Sequence, residues 1–310
     1  VEDIELPKED FPDLMDQEGA PTECVDIIIS EWMGYFLLRE SMLDSLIRAR
    51  DKFMKKETGL MFPSHTTMYF APISDEEERR ISVSEYTNAM GEWSEFVEST
   101  KSTYGVNMAT LQSEYDREQK EYYLLSSRWA ELSPECVLSH AAIVKDFDMA
   151  TCTVEDSRGI GVAIDDDGAN FHFDVMGKDS TPKGQDKGWE TDGPISGFAG
   201  WFTADFKSRT DEVGRDAAPK LDNPTLLNTG PDNGYTHWGQ QVFHFLSSVP
   251  VIKGEITSLD GTLEMTRSRD NARLYNCRIR LNSTRKKIVE GEGEKVFMKG
   301  AMIENVYQIP

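Results

Sequence analysis

The sequence has 310 residues and a formal net charge of −22, with 38% hydrophobic residues. A chain of this length can bury a sizeable core and form two domains. The acidic balance argues against a nucleic-acid-binding protein, which would present a basic face. The negative charge suits a basic protein or peptide partner, which it would attract over long distances. A need for solubility alone explains the negative charge equally well.

The four cysteines, Cys24, Cys136, Cys152 and Cys277, show no paired spacing typical of metal ligands. We therefore expect reduced, structural thiols and no metal site. No apolar run approaches the length of a membrane span, so we expect no membrane partner and a cytoplasmic or nuclear location.

The chain begins with Val1–Pro7, for which a short strand and turn are implied only by the family resemblance described below. Residues 8–23 are an acidic insertion that contains Pro12, Gly19 and Pro21. Proline and glycine interrupt regular structure, so this insertion is predicted to be a surface loop.

Val25–Ile29 is a β-branched run typical of a strand buried on both faces. Glu31 follows it directly, Glu40 comes later, and Gly34 between them allows a sharp turn. Ligands bind at the carboxyl ends of strands in open α/β sheets, so converging carboxylates are well placed there. They could bind a guanidinium, serve as acid and base in glycoside hydrolysis, or simply be solvated or cap a helix.

After the two glutamates, apolar residues recur at helical spacing, at Met42, Leu43, Leu46, Ile47 and Phe53.

Leu60–Pro63 reads as a last sheet strand broken by proline, and the pattern changes from His65 onward. Short strands separated by turn signals predict a sandwich or barrel. The predicted strands are residues 68–73, 137–147, 151–155, 171–175, 198–206, 241–245, 255–265, 274–281 and 296–306.

Residues 76–128 break this β pattern. Trp93, Phe96, Val97 and Thr100 fall at helical spacing, and a charged helical run continues to Tyr123. Such an excursion needs a surface on which to bury its apolar residues. That surface is either the chain's own β domain or a second subunit.

Two motifs carry a resemblance to a known family. Residues 30–43 read SEWMGYFLLRESML, and residues 235–243 read YTHWGQQVF. They resemble the double-glutamate loop and the Thr-His-Trp loop of the protein arginine methyltransferases. The resemblance implies an α/β plus β fold. Residues 1–62 would be the C-terminal part of a Rossmann-like domain that binds S-adenosyl-L-methionine, and residues 63–310 a β-barrel. It also implies a helical arm at about 84–128 that docks on a second subunit to make a homodimer.

By resemblance, Glu31 and Glu40 are the catalytic acids that bind the substrate guanidinium. His237 helps to shape the arginine pocket, with a proton relay as a secondary role; an ordinary structural histidine is the alternative. Met33 and Tyr35 would line the loop.

Trp238 would form an apolar wall beside the substrate arginine side chain. Met42 would reduce the space in the site, as in family members that make asymmetric dimethylarginine, the type I product. Ordinary core residues are the alternative for both. Arginine/glycine-rich basic proteins are the implied substrates.

The cofactor contacts implied by the family are Val1, Glu2, Glu31, Met42 and Ser45. The sequence has no glycine-rich strand-to-helix turn for the rest of the cofactor, so we expect a C-terminal portion of a longer enzyme, inactive by itself. A catalytically inactive regulatory or scaffold subunit is the second interpretation. A glycosidase is third, because no aromatic sugar platform surrounds the acids.

The motifs depart from the family pattern at two positions. Arg39 stands where an aromatic residue is usual, beside Glu40, and could pair with a substrate acid or compete for the glutamate. Gly239 replaces a common lysine, and we expect little consequence.

Overall fold

The computed structural model describes residues 23–162, 167–180, 189–289 and 293–310. The predicted strand at Val1–Pro7, and with it the adenine contacts Val1 and Glu2, lies outside the described residues. The described chain opens with strand β1, Ile27–Ile29, which pairs in parallel with β2, Leu60–Phe62. Helix α1, Leu43–Phe53, connects them.

Helix α1 buries one face, formed by Leu43, Leu46, Ile47 and Phe53, as the helical spacing predicts. Its first turn is fixed to the β domain, because Asp44 accepts hydrogen bonds from Arg267 and from the Ser157 hydroxyl. Burial disfavours the charged form of Asp44, but these hydrogen bonds outweigh it and lower the pKa of the carboxyl below 3.8.

Strand β1 differs from the prediction of a strand buried on both faces. Ile27 is 50% exposed and Ile29 is 77% exposed. The described strand has one hydrogen-bonded neighbour, β2, so its other edge and part of its surface are uncovered within the described chain.

The remaining strands form two six-stranded sheets. The first contains β3 (His65–Ile73), β4 (Arg128–Ala130), β5 (Ala142–Asp148), β8 (Ile195–Phe206), β9 (Thr225–Asn228) and β10 (Gln240–Val249). The second contains β6 (Gly159–Ile160), β7 (Ala169–Met176), β11 (Ile256–Arg267), β12 (Tyr275–Val289), β13 (Gly293–Lys299) and β14 (Ile303–Ile309).

One hydrophobic core lies between the sheets. Phe70 and Phe198 of the first sheet pack against Phe171 of the second, with ring centroids 5.6 and 5.2 Å apart. Pairing between named strands stays within each sheet in the described ranges. The predicted β-rich domain is therefore present as two facing sheets, and its ladders do not close into the predicted barrel.

A helical hairpin interrupts the first sheet between β3 and β4, as predicted. It consists of α2, Glu76–Tyr104, and α3, Gln112–Tyr123. Trp93 of α2 stacks on Tyr115 of α3 at 4.3 Å and donates to Gln112 at 2.6 Å. Only Ser82 and Ala89 of α2 are buried, so most of the hairpin surface is available to another molecule.

Two predicted strands are wrong in detail. Residues 151–155 form a turn, because the Thr153 amide and hydroxyl both donate to the Asp156 carboxylate and satisfy the local polar groups. The predicted strand at 296–306 is divided between β13 and β14, which both pair with β12.

Candidate functional site

The loop between β1 and α1 is compact and held by its own backbone. The Gly34 amide donates to the Leu37 carbonyl at 2.9 Å, and Ser41 donates to Leu38 at 3.1 Å. A Cβ at position 34 would lie 1.9 Å from the Arg39 carbonyl oxygen, so this close approach requires glycine. Glu40 itself has φ +87°, an unfavourable value for a residue with a side chain.

Apolar side chains beneath the loop compensate for this strain. Phe36 is 2% exposed and lies directly over Gly200 of β8, where a Cβ would come 2.4 Å from the ring. The ring also packs against Phe243 at 5.9 Å and Phe70 at 6.4 Å. The loop is therefore anchored in the first sheet, and its polar residues are left at the surface.

The loop forms one side of a cavity of about 320 Å³. The cavity is lined by Glu31, Trp32, Met33, Gly34, Tyr35, Arg39, Glu40, Met42, His237 and Trp238. Seven of the residues predicted from the two motifs are thus brought together around one space. Ser45 is the exception among the described ones, since it is exposed on α1 and does not line the cavity.

The Thr-His-Trp segment closes the second side of the cavity. The Trp238 indole donates to the Met33 carbonyl oxygen at 2.8 Å, which joins the two motifs directly. The same ring meets Phe202 edge-on at 5.6 Å. Trp238 is consequently a fixed wall, and its backbone neighbour Gly239 turns sharply at φ +50°.

His237 is exposed, and its ring lies 3.7 Å from the Trp238 ring. Its backbone carbonyl accepts a hydrogen bond from the Trp129 indole at 3.2 Å, so the main chain is fixed while the imidazole faces the cavity region. This position suits a residue that shapes the pocket.

The two glutamates have different surroundings. The Glu31 carboxylate is exposed and makes no hydrogen bond or ion pair within the described part of the chain. The Glu40 carboxylate is held through both oxygens: Arg39 donates to Oε1 at 2.9 Å, and Arg273 donates to Oε2. The interpretation that Arg39 competes for the glutamate agrees with this contact.

Arg273 is a site residue that the sequence did not reveal. It lies in the turn between β11 and β12, and its carbonyl accepts the Glu40 amide at 2.8 Å. No motif surrounds it, and only the pairing of these two strands places the turn beside Glu40. A signal for such a residue would have to come from three-dimensional contacts.

Met42 is 49% exposed although it immediately precedes a helix with a buried apolar face. An uncovered methionine at the rim of a polar cavity offers an apolar contact to whatever occupies that rim. The interpretation of Met42 as one more core residue is therefore wrong.

In the described ranges no group of acidic, histidine or cysteine side chains could hold a metal ion, and no helix is apolar and long enough to cross a membrane.

Comparison with known proteins agrees with this geometry. Residues 64–286 match the family model described as the arginine methyltransferase oligomerization subdomain. The chain belongs to the protein arginine methyltransferase family.

One similar protein is protein arginine N-methyltransferase PRMT10 of Arabidopsis thaliana. The two sequences are 35% identical over an aligned region that covers 98% of this chain and 67% of the length of PRMT10. The protein of the same name in Oryza sativa subsp. japonica is 40% identical over 82% of the chain and 59% of the relative. The crystal structure of the Arabidopsis PRMT10, described as a uniquely open conformation, superposes with a TM-score of 0.72 at 33% identity. That match covers 93% of this chain and 71% of the other. The chain thus spans about two thirds or less of the curated relatives it matches.

Proposed function

We propose that this chain forms the substrate side of an enzyme that methylates arginine guanidinium groups in proteins, using S-adenosyl-L-methionine. The observation that carries the proposal is the placement of Glu31 and Glu40 in one cavity, beside the Trp238 wall. Family membership supports the reaction. The Glu31 carboxylate, which has no partner among the described residues, supports a role in binding a cation.

The reaction requires a guanidinium to become a nucleophile. Two carboxylates that bind its fork draw the positive charge toward the nitrogens that do not react. The remaining nitrogen then has more lone-pair character and is oriented for in-line attack. Its proton becomes acidic only as the new bond forms, so a carboxylate suffices to accept it. Glu31, unpaired among the described residues, is available for that step.

The described residues fit one side of the cofactor. Met42 offers an exposed apolar contact at the rim, and Glu31 offers a carboxylate on the same cavity. When bound there, S-adenosyl-L-methionine supplies an electrophilic methyl group on a sulfonium. The exposed Ile27 and Ile29 support the further proposal that the Rossmann-like domain extends beyond β1 and supplies the rest of the cofactor site.

We propose a type I product, monomethylarginine followed by asymmetric dimethylarginine, on the basis of Met42 at the cavity. Arginine/glycine-rich basic proteins suit the net charge of −22. The oligomerization subdomain and the exposed α2–α3 hairpin support a homodimer assembled through that arm. We propose a cytoplasmic or nuclear location for this assembly.

The test is a pair of substitutions, Glu31→Gln and Glu40→Gln, in the full-length protein. Each keeps the side-chain size and removes one charge. Loss of one preorganised electrostatic contact should reduce kcat by about 100- to 1,000-fold, or roughly 3–4 kcal/mol. Glu57→Gln is the matched control, because Glu57 is exposed and lies outside the cavity.

Mass-spectrometric fragmentation of a methylated arginine/glycine-rich peptide identifies the product. Symmetric dimethylarginine would refute the type I assignment. Full activity in both glutamine variants would refute the roles of the acids.

A second function, an inactive regulatory or scaffold subunit, is favoured by one observation. Both oxygens of Glu40 are taken by the chain's own arginines, Arg39 and Arg273. A folded wild-type protein that binds an active relative but methylates no peptide would support this alternative.

A further inference from the structure

Glu40 meets two guanidinium groups of its own chain, and they are held very differently. Arg39 donates to Oε1 at 2.9 Å, donates through Nε to the Pro310 carbonyl, and lies over the Tyr35 ring at 5.3 Å. Its side chain is 25% exposed. Three contacts fix this arginine, so it stays in place.

Arg273 has a fixed backbone and an exposed side chain. Its amide donates to Asn271 at 3.0 Å and its carbonyl accepts from the Glu40 amide at 2.8 Å. The side chain is 66% exposed, and Glu40 is its one ion-pair partner in the described part of the chain. An exposed ion pair of this kind is weak, so the guanidinium can leave Oε2 without disturbing the turn.

Oε2 is therefore the oxygen that an incoming guanidinium can take. A substrate arginine that binds Oε2 displaces the Arg273 guanidinium and leaves Arg273 without an ion-pair partner. A carboxylate in the substrate, beside the target arginine, would restore that partner. The exchange then keeps two ion pairs, Glu40 with the target arginine and Arg273 with the substrate acid.

We propose, building on the proposed function, that Arg273 is a specificity-determining residue that favours target arginines next to an aspartate or glutamate. The contact geometry selects an anion because Arg273 is a donor only and its side chain is exposed beside Glu40, which lines the cavity. Substrates that consist of arginine and glycine alone bind with Arg273 displaced and unpaired, and are therefore bound more weakly.

The experiment uses two glycine-rich peptides that differ at one position, glutamate or glutamine beside a single arginine. Binding is measured by fluorescence anisotropy, and KM and kcat by methyl transfer, with the full protein. Wild type should bind the glutamate peptide about fivefold more tightly, the upper range for one exposed ion pair. In Arg273→Gln the preference should disappear, and the glutamine peptide should bind more tightly than it does to wild type.

Arg269→Gln is the matched control, because Arg269 is exposed in the same turn and its loss changes the net charge equally. It should keep the wild-type preference.

Methylation of both peptides with equal KM in wild type would refute the proposal and leave the proposed function intact. A binding preference lost only in Arg273→Gln, without any methylation, would support the proposal and refute the enzyme. Equal loss of preference in Arg269→Gln would show a general effect of charge and also refute it.

Discussion

Phe36 provides a quantitative test of how the loop between β1 and α1 is held. The ring is 2% exposed, and it packs on Phe70, Phe243 and the bare backbone of Gly200. Phe36→Ala removes a fully buried aromatic ring and should lower the free energy of unfolding by about 3–5 kcal/mol. Since 1 kcal/mol corresponds to roughly 2–4 °C in larger domains, Tm should fall by on the order of 10 °C.

The backbone at Phe36 refines this expectation. Its φ is +46°, in the left-handed region, which costs a residue with a Cβ about 1–2 kcal/mol. Phe36→Gly relieves that cost but adds about 0.4–1 kcal/mol of unfolded-state entropy relative to alanine. The glycine variant should therefore be more stable than the alanine variant by roughly 0.5–1 kcal/mol.

Urea unfolding followed by tryptophan fluorescence measures both variants. Ile143→Ala in β5 is the control, because its side chain is 60% exposed and its loss should cost about 0.5 kcal/mol. A Phe36→Ala variant as stable as this control would refute the anchoring of the loop by the ring. A glycine variant clearly less stable than alanine would refute the backbone argument.

Two further predictions concern α1 and the arm. The pKa of Asp44 is lowered in the folded state, so its contribution to stability is complete above the ordinary value of 3.8 and is lost as the pH falls through the folded value. Asp44→Asn should therefore destabilise the protein more at pH 7 than at pH 3, and equal urea midpoint shifts at both pH values would contradict this. Replacement of residues 90–119 by a short glycine–serine linker should give monomers by light scattering with the far-UV spectrum of the two sheets retained. A dimer that survives would place the interface elsewhere.

Local patterns predicted the parts of the site that adjacent residues determine. The alternation of Cys277, Ile279 and Leu281 is that of an inward-facing strand, and the spacing of Leu43, Leu46 and Ile47 gives α1. The resemblance carried by residues 30–43 and 235–243 indicated which side chains meet, and most of these side chains line the cavity.

Contacts between remote segments outside these two motifs could not be predicted. The position of Arg273 beside Glu40 depends on the turn between β11 and β12, which no local pattern relates to residue 40. The facing sheets were likewise not distinguishable from a barrel, because both architectures produce the same alternation along each strand.

The joining of Met33 to Trp238 and of Glu40 to Arg273 has a consequence for the order of folding. These contacts span 205 and 233 residues of sequence. The entropy of closing such long loops must be overcome before the contacts contribute any stability. During synthesis, the cavity cannot assemble until His237 and Trp238 have left the ribosome, long after the two glutamates have emerged. Until then the acids lie on a chain that lacks the second side of the cavity, so the cavity forms late in the maturation of the protein.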